Sequence, residues 1–359
     1  MALTDPPTTA AVQQRLVAWQ RRYGRNELPW QRPATPYRVW ISEIMLQQTR
    51  VETVVPYFER FMAHFPDVER LAAAERDAVL ALWAGLGYYA RARNLHAAAG
   101  RIAAEHAGAL PQGLAELQQL PGIGASTAGA IRSLGHGLPA PILDGNAKRI
   151  FARLGAVPGW PGHTATARRL WRLAEALTPA DERCAPFNQG LMDLGSLVCT
   201  PRAPACADCP LAFACAARAE GRPEAYPGRR PPRRRPLRTT RLLLIEGEAG
   251  VLLQQRPPAG VWGGLWSLPE CPEAGDPAAC ARALGVVTDT GRALEPRHHA
   301  FTHFELRMLP VRLRYLDDAP AAREEGQPLR WYRPGSEPAP ALAAPIQRLL
   351  AEASRDEGG

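Results

Sequence analysis

Two carboxylates stand where acid–base chemistry could use them. Glu43 lies in Trp40-Ile-Ser-Glu-Ile-Met-Leu-Gln-Gln-Thr49, with apolar side chains on both sides of it. A carboxylate in such a run costs free energy unless it is partnered or retained for work, and burial would raise its pKa, as a general acid requires. The plain alternative is a helix-surface glutamate near Arg38 or Arg50. Asp144 stands in Pro141-Ile-Leu-Asp-Gly-Asn-Ala-Lys-Arg-Ile150, directly before a helical run, where capping alone would explain it. A cap can also be a working carboxylate. One carboxyl kept protonated and one carboxylate kept charged are what glycosidic hydrolysis uses, the first for the leaving group and the second beside the cationic sugar carbon.

Four of the seven cysteines, Cys199, Cys206, Cys209 and Cys215, fall within 17 residues. That clustering points to a metal site in a reducing compartment and away from a disulfide framework. Zinc and a [4Fe-4S] cluster both suit four soft ligands. Only one short Cys-x2-Cys arm is present, which favours iron–sulfur, with a structural clip as its main physical contribution. Cys184, Cys271 and Cys280 are expected as ordinary buried thiols.

Leu117 to Leu134 reads as helix, Leu-Pro-Gly-Ile-Gly hairpin, helix. Gly122 and Gly124 permit a tight turn with outward N–H groups, and the following helix adds its positive end. A phosphate fits there, fixing register on a nucleic-acid backbone without reading sequence; a simple turn between helices is the alternative.

These residues need a scaffold, and 359 residues at 46% hydrophobic and 22% charged support about two domains with sizeable cores. Apolar residues recur at helical spacing over Tyr37 to Phe61, Glu75 to Leu82, Leu114 to Leu120 and Thr164 to Leu177, so residues 10–221 read as all-α. The segment 222–237, with five prolines, reads as an extended linker. Beyond it, short β-type runs at Leu242 to Glu246, Val251 to Gln255 and Arg307 to Tyr315, with helices at Asp276 to Leu284 and Pro345 to Glu352, give an α+β domain over 238–356. Of the formal +8, the stretch from Gly221 to Arg241 contributes +7, and Lys148 is the one lysine, so the basicity is local and guanidinium-borne. The longest apolar stretch, Ala78 to Ala90, is too short for a bilayer, and the first ten residues lack a signal pattern. A soluble, non-secreted cytoplasmic protein is expected.

Leu28-Pro-Trp30, the Trp40 to Thr49 run, Gly85-Leu-Gly-Tyr-Tyr-Ala-Arg-Ala-Arg-Asn94, the hairpin, Asp144-Gly-Asn, Met192-Asp-Leu-Gly195 and the four cysteines occur in that order. Together they resemble the MutY family of adenine DNA glycosylases, in the helix-hairpin-helix, endonuclease III-like superfamily, strongly over residues 16 to 218 and more loosely to 352. The resemblance implies a multidomain architecture: an all-α helix-hairpin-helix glycosylase domain (hairpin 117–134) with an iron–sulfur cluster loop (199–215), joined to an α+β Nudix-like domain. It implies excision of adenine mispaired with 8-oxoguanine or guanine in duplex DNA, by a monomer that works in base excision repair at the nucleoid. Extrusion of the base suits this chemistry, since the bond is unreachable in a stacked duplex.

In this match Glu43 is the general acid to N7 of the flipped adenine and Asp144 stabilises the sugar cation. Gln48 and Tyr88 enter the duplex near 8-oxoguanine. Arg91, Gly122, Gly124 and Ser126 contact DNA, and Phe301, Thr302 and His303 probe the opposing base. The four cysteines match the ligands of one [4Fe-4S] cluster. Ser126 stands where bifunctional relatives carry a lysine nucleophile, so strong β-lyase activity, which needs an amine at the sugar carbon, is not expected; the Ser126 hydroxyl is a candidate for proton handling. The paired glutamates of a Nudix hydrolase are missing after Glu270, which disfavours Mg²⁺-dependent diphosphate hydrolysis. Trp262, Trp266 and Phe301 have ordinary core packing as their alternative. The rival functions are a thymine or uracil mismatch glycosylase on the same scaffold and a non-catalytic, mismatch-binding iron–sulfur protein.

Overall fold

Short polar caps and prolines start the helices. Asp5 and Thr35 accept from backbone N–H groups three residues on, with Pro6 and Pro36 in the first turn, and Asp67 and Asp144 cap in the same way. In this computed structural model, which describes residues 3–232, 234–258, 260–301, 303–319, 327–336 and 339–353, the helices run α1 (Pro6–Tyr23), α2 (Pro36–Leu46), α3 (Val51–His64), α4 (Val68–Ala73), α5 (Arg76–Trp83), α6 (Ala90–Glu105), α7 (Leu114–Gln119), α8 (Ala125–Ala130), α9 (Gly145–Leu154), α10 (Thr164–Leu177), α11 (Cys184–Leu197) and α12 (Ala216–Ala219). The chain divides into two compact units, Met1–Ala74 with Arg93–Pro232, and Glu75–Ala92 with Arg233–Gly359.

The first unit is helical. Its core gathers Val12 and Leu16 of α1, Phe151 of α9, Leu170 of α10, and Phe187, Leu191 and Leu194 of α11. The periodic run from Tyr37 to Phe61 is two helices, interrupted at Gln47 to Arg50, where Gln48 takes φ 61°. The apolar period continues through this break because both helices face the core. The first part of the arginine-rich connector is held against this unit: Arg153 Nε donates to the carbonyls of Pro223 (2.9 Å) and Tyr226 (3.0 Å), and Gly228 N to Gly159 O.

In the second unit the strands are β1 (Leu237–Gly247), β2 (Gly250–Gln255), β3 (Trp266–Ser267), β4 (Glu270–Cys271), β5 (Val286–Thr288), β6 (Arg292–Ala293), β7 (Arg297–Ala300), β8 (Glu305–Asp318) and β9 (Leu329–Tyr332), with helices α13 (Pro277–Ala283) and α14 (Ala344–Ala353). The sheet is mixed, in the order β3-β2-β1-β8-β5, with β1 and β8 parallel from Leu237↔Glu305 to Glu246↔Arg314. Four consecutive residues of β1, Leu242 to Ile245, are fully buried, as a central strand covered on both faces requires. α13 and β5 pack on one side, through Ala281 and Val286 against Leu243, Ile245, Val311 and Leu313. Cys271 and Cys280, expected as thiols, form a disulfide. The turn at Gly275 brings their Cα atoms to 5.9 Å, within the normal bonding range.

The helical unit and the α+β unit are both present, but the iron–sulfur part of the expected fold is corrected. Cys199, Cys206, Cys209 and Cys215 line one small cavity with Arg153. Yet among the described residues no group of three or more His, Cys, Asp or Glu side chains is arranged to hold a metal ion. The expected [4Fe-4S] cofactor and its four ligands are therefore withdrawn. The thiols are engaged otherwise. Cys199 Sγ accepts from Arg153 Nη1 at 3.2 Å, Cys215 Sγ lies 3.5 Å from the Arg153 carbonyl, and burial pushes the Cys209 thiol up to about 11, keeping it protonated. The loop clips the end of α11 to α9, with Arg149 Nε donating to Cys199 O. Among the described residues, no helix is long and apolar enough to cross a membrane.

Candidate active site

Glu43 projects from α2 into a cavity of about 380 Å³ lined also by Arg25, Trp30, Gln31, Ser42, Leu134 and Gln189. Its neighbours Ser42, Ile44 and Met45 are buried. The carboxyl is half-buried, open toward the cavity, and its pKa is raised to about 8. The main cause is loss of water, and the charge of Asp144 adds to it. The Asp144 charge thus acts on a carboxyl about a hundred residues away in sequence, although Asp144 is not among the residues lining the cavity.

Asp144 is held by its capping role: its Oδ1 accepts from Ala147 N at 2.7 Å, at the start of α9. The approach to it depends on Gly129. A Cβ there would come within 2.1 Å of the Pro141 carbonyl, so only glycine lets α8 cross the segment leading to Asp144. At this crossing Leu143 N donates to Ser126 Oγ at 3.0 Å. Ser126 thus fixes the backbone one residue before Asp144. Its hydroxyl proton is not consumed by that bond. After α8 the chain makes one π-type turn, Ile131–Gly135, which puts Leu134 into the cavity wall and is locked by Asn188 Nδ2 donating to Ser133 Oγ at 2.8 Å.

The other cavity wall is set by a buried ion pair. Asp193 of α11 is fully buried and accepts from Arg25 Nε at 2.8 Å, Arg25 N at 3.0 Å and Gln189 Nε2 at 3.1 Å. With several donors satisfied, the pair holds α11 against the segment after α1. Asp193 belongs to the Met192-Asp-Leu-Gly195 motif, which carried no separate role for it in the sequence analysis. It is a single charge between apolar Met192 and Leu194, and the apolar period alone does not show which partner would satisfy it.

The hairpin expected for phosphate binding joins α7 to α8. Gly122 and Gly124 are exposed, and Ile123 between them is buried, anchoring the turn. Gly122 has φ 81°, and a Cβ there would meet Asn94 Cβ at 2.9 Å, so the position needs glycine twice over. Gln48, exposed at the break between α2 and α3, and Tyr88, 49% exposed with φ 49°, both hold the left-handed conformation that non-glycine residues rarely adopt. Such strain persists only where surroundings enforce it, and it concentrates at ligand-contacting loops. Arg91, expected to contact DNA, is buried. Its Nη2 donates to the carbonyls of Leu86 (3.3 Å) and Gly87 (3.1 Å), and burial lowers its pKa to about 10.

In the second unit Phe301 is half-buried in an aromatic group. It stacks on Phe304 (4.5 Å between ring centres, 18° between planes), meets His299 edge-on at 4.6 Å and lies 5.9 Å from Trp262. Arg238 lies over Phe304 at 4.5 Å. His303 is exposed, and Thr302 falls outside the described residues. His299, Phe304 and Arg238 were missed by sequence reasoning. The aromatic spacing in Phe301-Thr-His-Phe304 was the available signal.

Comparison with known proteins gives the fold family. Residues 41–176 match the HhH-GPD superfamily of base excision DNA repair proteins, and residues 240–352 match the NUDIX domain. A solved thermostable thymine-DNA glycosylase aligns with a TM-score of 0.54 at 26% identity, covering 59% of this chain and 97% of its own. The class is therefore a helix-hairpin-helix glycosylase fold carrying a Nudix-like domain. An adenine DNA glycosylase of Buchnera aphidicola subsp. Acyrthosiphon pisum (strain APS) is 35% identical over 339 residues, 94% of this chain and 96% of its own length. The human adenine DNA glycosylase is 41% identical over 224 residues, 60% of this chain and 40% of its own. The chain belongs to the adenine DNA glycosylase family.

Proposed function

We propose that Glu43 and Asp144 perform the adenine excision that family membership gives this chain, on adenine mispaired with 8-oxoguanine or guanine in duplex DNA. The supporting observation is the Glu43 carboxyl: desolvation and the Asp144 charge keep it protonated at neutral pH beside a cavity large enough for a base. The extruded adenine accepts the Glu43 proton at N7, the bond from N9 to the sugar carbon breaks with its electrons leaving on the base, and the Asp144 carboxylate stabilises the cationic sugar. Water then adds to that carbon and gives its proton to a carboxylate, leaving an abasic site and free adenine.

Strand cleavage through an imine is not assigned, because Ser126 offers a hydroxyl at that position and the single lysine, Lys148, lies in α9. The exposed Gly122-Ile-Gly124 turn fits a DNA phosphate, Gln48 and Tyr88 fit entry into the duplex, and Arg91 fits a brace beneath Tyr88. Phe301 and His303 fit the partner base. The +7 connector adds a salt-sensitive attraction to the backbone. The chain works as a monomer in the cytoplasm, at the nucleoid when bound.

The test is incubation with duplexes carrying adenine opposite 8-oxoguanine, guanine, cytosine or thymine, and with thymine or uracil opposite guanine, followed by alkali. Cleavage at adenine opposite 8-oxoguanine and guanine is expected. Release of thymine or uracil, or binding without release of any base, would overturn the reading.

A further inference from the structure

Helix α5 and the loop after it, Glu75–Ala92, are part of the second compact unit. One acidic side chain holds them to the sheet. Asp77, in the first turn of α5, accepts from Gln255 Nε2 (3.1 Å to Oδ1 and 3.4 Å to Oδ2) and from Trp266 Nε1 (3.3 Å to Oδ2). Gln255 and Trp266 are register partners across β2 and β3, so two neighbouring strands aim donors at a single carboxylate. Farther along the segment, Tyr89 OH donates to the Leu342 carbonyl at 3.4 Å. Nothing in the excision chemistry uses Asp77, which is not among the residues lining the Glu43 cavity.

What α5 supports explains the need. Trp83, its last residue, donates from Nε1 to the Gly87 carbonyl at 3.2 Å. The Arg91 guanidinium lies 5.4 Å from the Trp83 ring and 5.5 Å from the Tyr88 ring, and also bonds the carbonyls of Leu86 and Gly87. The strained Tyr88 backbone is thus braced on α5, and α5 is bonded to the sheet through Asp77. We infer that Asp77 is a positioning residue for partner-base discrimination: through Gln255 and Trp266 it lets the Nudix-like sheet fix where the Tyr88 loop stands. A charge-assisted bond shared by two donors suits this task, because it sets direction as well as distance.

This inference rests on the reading of Tyr88 as a duplex-entering side chain, and the experiment separates the two. Single-turnover excision is measured on adenine opposite 8-oxoguanine and opposite guanine for the full chain and for Asp77→Ala, Gln255→Ala, Tyr88→Ala and Asp77→Ala/Tyr88→Ala, with thermal unfolding beside each. Expected is a fall in the 8-oxoguanine to guanine rate ratio of about fivefold in Asp77→Ala, the low end of ordinary coupling between sites. Gln255→Ala should show a smaller fall, and Tyr88→Ala should add little in the Asp77→Ala background. An unchanged ratio in Tyr88→Ala would remove the Tyr88 reading and this inference with it. A changed ratio in Tyr88→Ala with normal ratios in Asp77→Ala and Gln255→Ala would overturn the inference alone. Equal slowing on both duplexes in step with lost stability would assign Asp77 a merely structural role and overturn it too. Should Asp77→Ala fail to fold, the ratio in Gln255→Ala decides alone, lowered in support or unchanged against.

Discussion

The Glu43 cavity and the aromatic group around Phe301 solve opposite physical problems. As the proposed general acid Glu43 has to hold a proton at neutral pH, and the first unit surrounds it with buried side chains and sets the Asp144 charge within electrostatic reach. Phe301, for which we propose contact with the partner base, is half-buried and is ordered by ring contacts with Phe304, His299 and Trp262. In the proposed reading, the chemistry rests on a desolvated carboxyl and the recognition on stiffened rings at a partly exposed surface. The two regions should therefore respond to substitution in different observables.

Asp144→Asn gives the largest separation. Loss of the charge beside the sugar cation should lower the single-turnover rate by about 10²–10³-fold, the range for deleting a preorganised electrostatic partner, with equal loss opposite 8-oxoguanine and guanine. A variant that slows one duplex only would mix the two roles and break the contrast. Phe301→Ala should do the reverse, reducing the preference for 8-oxoguanine by about tenfold, as loss of one stacked aromatic contact permits, while the rate opposite guanine holds. An unchanged ratio removes the aromatic group from recognition.

The third effect is on stability and has a defined sign. Because the Glu43 pKa is raised to about 8 in the folded protein, the unfolded chain ionises it first as pH rises. Stability is lost progressively from the ordinary carboxylate range up to about pH 8. Glu43→Gln removes that dependence, so the variant should be the more stable protein by up to about 3 kcal/mol at pH 7, with no advantage at pH 4. Unfolding curves at the two pH values check this; equal stability at both would mean that the carboxyl is not desolvated.

The regions also differ in how far the sequence disclosed them. Helix α10 runs from Thr164 to Leu177 as its period implies, and β1, β2 and β8 contain the runs expected of them, because each buries a regular face. Glu43 was legible as a charge out of place among apolar neighbours, and Asp144 as a cap. The break at Gln48 was not legible, since a single left-handed residue leaves the apolar period intact. Nor was the assignment of Glu75–Ala92 to the second unit, where Asp77 meets donors on β2 and β3 far along the chain. The cysteines show the limit of spacing arguments. The Cys199 to Cys215 spacing suggested a metal centre, but the structure arranges no such ligand set among the described residues. Cys271 and Cys280, read as unpaired, are bonded because a tight turn returns one to the other.

The central claim is that a neutral Glu43 carboxyl gives its proton to the departing adenine. Its most direct measurement is the single-turnover rate of Glu43→Gln on a duplex with adenine opposite 8-oxoguanine, read beside the pH profile of the unchanged protein. The account predicts tight binding with excision slowed by at least about 10³-fold in the variant, and a rate in the unchanged protein that falls tenfold per pH unit above about pH 8. Excision by Glu43→Gln at the normal rate, or a profile flat through pH 9, would contradict it.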